Sequence, residues 1–91
     1  MKAAKGFILR NVVGEYILMP VDDKIAEFNG TVLMNKLSAF VWEKLQTSVS
    51  REEILGDILQ EFEIDEATAA KDLDELLAGM QELGILEADE C

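Results

Sequence analysis

Histidine is absent from the 91 residues, and cysteine occurs once, at Cys91. Without histidine the commonest general base at neutral pH and the commonest metal ligand are both missing, so Ser-His and Cys-His catalysis cannot be assembled. One cysteine also falls short of the ligand sets of zinc fingers, iron-sulfur clusters and histidine-containing di-iron sites within one chain. It excludes an internal disulfide framework as well, which makes a reducing, cytoplasmic home the natural expectation. No apolar run approaches the roughly 18 residues that cross a bilayer, and Met1 to Gly6 lacks the hydrophobic stretch of a secretory signal. No membrane association is expected.

Glycine-rich phosphate cradles are missing too, since neither G-x-x-x-x-G-K-[ST] nor G-x-G-x-x-G occurs. Nothing therefore predicts a nucleotide or other cofactor, and no metal or catalytic residue is assigned. Glu61, Glu63 and Asp65 alternate like the start of a calcium loop, but Glu66 stands where that loop needs glycine. Carboxylate pairs such as Asp72 and Glu75 fall on a polar helical face, where solvation keeps them from acid-base work. Cys91 ends the chain without the three following residues of a prenylation motif and is read as an ordinary tail.

Positive charge is scarce where negative charge is dense. The chain has 8 Lys and Arg against 19 Asp and Glu, a net charge of -11. Residues 1–50 hold six of those cations against five acids, and residues 51–91 hold two against fourteen. Nucleic-acid binding draws its sequence-independent affinity from Lys and Arg on phosphates, so this surface predicts no nucleic-acid partner. Most of the acids are expected simply to solvate the outer faces of helices.

What remains is enough for one core: 49% of residues are hydrophobic, and the length fits a single domain spanning residues 1–91. Phe7 to Val12 and Glu15 to Met19 read as two β-rich strands joined by a tight turn at Gly14, and Pro20 closes the second. Asn29-Gly30 is a turn signal, after which Thr31 to Met34 reads as a third strand; Ile25 to Phe28 is a candidate to pair with it.

Asn35 is placed to cap a helix over Lys36 to Gln46, with Leu37, Phe40, Val41 and Leu45 at helical spacing. Trp42 beside them is read as a core anchor rather than a ligand platform. Ser50-Arg51-Glu52-Glu53 fits a capping box for a second helix ending near Phe62, whose buried stripe is Ile54, Leu55, Ile58, Leu59 and Phe62. Asp65 caps a third helix from Glu66 to Leu83, and Gly84 stops it. Its apolar stripe is Ala69, Leu73, Leu76, Met80 and Leu83, widened by Ala70 and Leu77, and Ile85 and Leu86 are expected to tuck back onto the core. Strands first and helices afterwards predict an α+β fold: a small N-terminal antiparallel three-stranded sheet followed by three helices, winged helix-turn-helix-like in shape.

Taken in order, Phe7-Ile8-Leu9-Arg10, Gly14-Glu15-Tyr16-Ile17-Leu18-Met19-Pro20-Val21, Phe28-Asn29-Gly30, Leu33-Met34-Asn35-Lys36 and Phe40-Val41-Trp42-Glu43-Lys44-Leu45 resemble a known family. The Glu-Glu-Ile start of helix two, Phe62-x-x-Asp65 and Leu83-Gly84-Ile85-Leu86 complete the likeness, which covers nearly the whole chain. The family is that of PqqD, the pyrroloquinoline quinone biosynthesis protein D, and related recognition elements of peptide-modifying systems. Met34 stands where the family more often has leucine, a conservative departure.

The resemblance implies a non-catalytic peptide chaperone that binds the leader of a ribosomally made precursor peptide and presents it to a modifying enzyme, often a radical S-adenosylmethionine enzyme. The implied mode is β-augmentation, with the leader lying along Thr31, Val32, Leu33 and Met34 and resting against helix three. On that helix, spacing selects Ala70, Asp74, Leu77 and Gln81 as the peptide-binding stripe. The alternatives are a winged-helix DNA-binding regulator, disfavoured by the acidic surface, and a structural accessory subunit of an enzyme.

Overall fold

The computed structural model describes residues 1–21 and 30–87. Ile25 to Phe28, Asn29 of the expected turn, and Cys91 lie outside the described residues. Strands β1 (Lys2–Ala3), β2 (Phe7–Val12), β3 (Glu15–Pro20) and β4 (Val32–Met34) precede helices α1 (Lys36–Lys44), α2 (Arg51–Glu61) and α3 (Glu66–Glu82), and β5 (Leu86–Glu87) follows. The α+β order with a three-stranded antiparallel sheet, β2-β3-β4, agrees with the sequence reading. The third strand begins at Val32 rather than Thr31.

The β2–β3 hairpin turns through Val13 (φ 51°) and Gly14 (φ 79°), both left-handed, as a two-residue loop between paired Val12 and Glu15 demands. Glycine suits that geometry, whereas a β-branched residue is strained in it. At the other end Pro20 pairs with Phe7 across β2, and the β3–β4 register would set Gly30 opposite its far side. Lacking an amide N–H, Pro20 cannot donate toward β4, which helps to keep that strand short.

Each helix begins as its sequence signals. The Asn35 side chain accepts the Ser38 amide at 2.8 Å, Ser50 Oγ accepts that of Glu53 at 3.1 Å, and Asp65 accepts that of Thr68 at 3.1 Å. At the end of α3, Gly84 (φ 76°) lets its own amide donate to Gln81 and the Ile85 amide donate to Met80, a Schellman closure that folds Ile85 inward.

One apolar core fills the space between sheet and helices, with Leu18, Val41, Leu45, Ile54, Ile58, Leu73 and Ile85 fully buried. Trp42 is a core residue, 3% exposed, meeting Phe7 edge-to-face at 6.4 Å. A second sheet was not signalled locally: β1 pairs with β5, while the Ala3 amide donates to the Leu45 carbonyl and Met1 and Val49 exchange backbone hydrogen bonds. Among the described residues, no helix is long and apolar enough to cross a membrane.

Candidate peptide-binding groove

Strand β4 is the outermost of its sheet, and among the described residues no strand pairs with its far side. Which backbone groups face that side follows from the hydrogen-bond alternation of an antiparallel ladder. The Val21 amide donates to the Gly6 carbonyl at 2.8 Å, in register with the β2–β3 pairs, so the odd-numbered residues of β3 direct their backbone groups toward β2. Tyr16 and Leu18 therefore turn toward β4 and bond Met34 and Val32, their register partners. Leu33, opposite Ile17, forms the non-hydrogen-bonded pair, and its amide and carbonyl point outward.

Side chains divide by the same period. Val32 and Met34 face the core side with Leu18 and Tyr16, whereas Leu33 stands 72% exposed. Alongside β4 runs a groove whose walls are Val32, Leu33, Met34 and Ser38 on one side and Glu75, Leu76, Gly79, Met80, Leu83 and Ile85 on the other. It is apolar except at one end, where Ser38, Glu75 and Leu76 are shared with a neighbouring recess that adds Asn35, Leu37 and Asp72. Leu83, at the opposite end, is 48% exposed. Among the described residues, β4 thus presents an unpaired edge beside an apolar cleft with an acidic mouth. Among the described residues no group of three or more His, Cys, Asp and Glu comes together as a metal site.

The groove uses a different flank of α3 from the stripe chosen by spacing. At about 100° per residue, Glu75, Leu76, Gly79 and Leu83 cluster on one side of the buried Ala69, Leu73 and Met80, and Ala70, Asp74, Leu77 and Gln81 lie about 170° away from that cluster. Leu77 is itself buried, and with Gln81 it lines a separate recess beside Met1 and Leu86. Asp74 receives two hydrogen bonds from the Arg51 guanidinium, at 2.6 and 3.1 Å. That pairing holds the Asp74 carboxyl below its ordinary range and raises Arg51. The structure thus sets Val32, Leu33 and Met34 at the groove, places Thr31 just before it, and turns the four helical candidates away. Leu76, Met80 and Leu83, which line the groove, belonged to the expected apolar stripe, whereas Ala70 and Leu77, read as widening it, lie on the other flank.

The PqqD family, "Coenzyme PQQ synthesis protein D (PqqD)", matches residues 15–86, most of the chain and all of β3, β4 and the three helices. The chain belongs to the PqqD family. No curated protein matches it by sequence. Two solved structures are similar to this PqqD-family chain. "TbiB1 in Complex with the TbiA(beta) Leader Peptide" matches with a TM-score of 0.76 and 20% identity over 100% of both chains. "Lasso peptide synthetase B1 complexed with the leader peptide" matches with a TM-score of 0.73 and 15% identity over 96% of each. At these identities the likeness is one of fold, and it extends across the whole described PqqD-family domain.

Proposed function

We propose that this PqqD-family chain is a non-catalytic module that binds the leader of a ribosomally made precursor peptide as an added strand on β4 and presents it to a modifying enzyme. The observation that carries the reading is Leu33, whose outward amide and carbonyl are unpaired among the described residues and border the apolar groove on α3. An extended peptide satisfies both groups and seats its inward side chains between Val32 and Leu76, so backbone bonding supplies affinity and the groove supplies choice. Both similar structures are complexes with leader peptides, which supports the same use of this fold.

Panning a random dodecamer display library on the chain tests the reading. Enriched peptides are expected to carry apolar residues at alternate positions, and on binding the Leu33 amide should become protected from hydrogen exchange. Failure of any peptide to bind, or binding that leaves the Leu33 amide exchanging as before, defeats it.

A further inference from the structure

Gly79 sits inside α3, three residues before its end, where glycine is among the poorest helix formers. A glycine is usually retained in a helix because the backbone needs a positive φ or because a neighbour leaves no room for a Cβ. Neither holds here. Gly79 is not among the glycines with positive φ, and a Cβ built on it meets nothing within 4 Å. The chain's own packing therefore does not require the glycine. What it does is open the floor of the groove, between Leu76 and Leu83 and opposite Val32 and Leu33.

We propose that Gly79 is a specificity-determining residue: the space left by its missing side chain admits one bulky apolar side chain of the bound strand, down to the backbone of α3. The inference rests on the reading that an extended peptide occupies this groove. The recess is apolar, because Val32, Leu76, Met80, Leu83 and Ile85 surround the opening and Glu75 stands only at its end. The whole groove, of which the space over Gly79 is a part, is open on one side and has a volume of about 170 Å³; since an apolar cavity of roughly 150 Å³ accepts benzene, there is room over the glycine for one leucine, isoleucine or phenylalanine side chain. In α2, Gly56 is equally free of Cβ contacts but is exposed, so its open space faces solvent. That makes Gly56 an internal control for the helix effect alone.

The test uses a dodecamer enriched from the library and three variants of the chain. Gly79→Ala and Gly56→Ala should both raise Tm, since alanine favours the helix in either place. Only Gly79→Ala should weaken peptide binding, about tenfold, and Gly79→Leu about a hundredfold, the range expected for overfilling a packed contact. A dodecamer whose inward anchor is shortened to alanine should bind Gly79→Leu better than the parent peptide does, because the two changes exchange volume.

Wild-type binding with undiminished affinity in both Gly79 variants overturns the inference and leaves the peptide-binding reading standing. A lower Tm for Gly79→Ala also overturns it, because the glycine would then serve the fold. A wild-type chain that binds no dodecamer is the separate failure of the reading beneath it.

Discussion

Leu33 faces Ile17 across the sheet as a non-hydrogen-bonded pair, so its amide and carbonyl point away from β3 and have no strand partner among the described residues. Its two neighbours have no such freedom, since Val32 and Met34 spend theirs on Leu18 and Tyr16.

Proline substitutions separate those roles. Leu33→Pro removes an outward donor that no described residue uses, so circular dichroism should report a native fold while peptide binding falls at least tenfold. Val32→Pro deletes a donor inside the β3–β4 ladder and should lower Tm markedly. Equal binding by the Leu33→Pro variant and the wild type would rule out augmentation at this edge.

Val13 is 98% exposed and left-handed in a turn that favours asparagine, so its strain is not offset by packing. Val13→Asn should stabilise the chain by about 1 kcal/mol, read as a rise in the urea midpoint without a change in slope. A midpoint at or below that of the wild type contradicts this account of the hairpin.

Acid should weaken the fold through two aspartates whose carboxyls lie below the ordinary range. The Thr68 amide and hydroxyl lower Asp65, and the Arg51 guanidinium lowers Asp74. A carboxyl depressed in the folded state adds stability that is present above its unfolded value, about 3.9, and lost as pH falls through the folded one. Tm should therefore hold between neutrality and about pH 5 and drop below about pH 4. Asp65→Asn keeps a capping side chain without the titration, so its curve should fall less steeply; an unchanged slope would remove Asp65 from the explanation.

The mouth of the groove, with Glu75 at its end and Asp72 in the adjoining recess, should favour leaders with Lys or Arg close to their apolar anchor. Such a peptide should bind more weakly as salt rises from about 50 to 500 mM, because exposed charges are screened over shorter distances. Glu75→Gln should flatten that dependence. A titration insensitive to salt would leave the apolar contacts as the whole of the selectivity.

Much of the fold was legible because its determinants are local. The three caps at Asn35, Ser50 and Asp65 bond within three residues of themselves, and the hairpin is written in Gly14 and alternating apolar residues. Strand β4 was legible for the same reason, as the Asn29-Gly30 turn signal and the β-prone run Thr31 to Met34 are contiguous in sequence. The β1–β5 pair had no such signal, because two-residue strands show no period and their partners are some eighty residues apart.

The amino-acid order by itself determined the helices, the hairpin and the buried stripes, since each depends on residue type and near-neighbour spacing. Only tertiary structure decided which flank of α3 meets β4. Helical periodicity identifies the buried stripe but is indifferent to its two sides, so spacing selected Ala70, Asp74, Leu77 and Gln81, whereas the groove is lined by Glu75, Leu76, Gly79 and Leu83. Docking α3 on the core, with Leu73 and Met80 inward and Asp74 held by Arg51, broke that symmetry and set Gly79 over the groove.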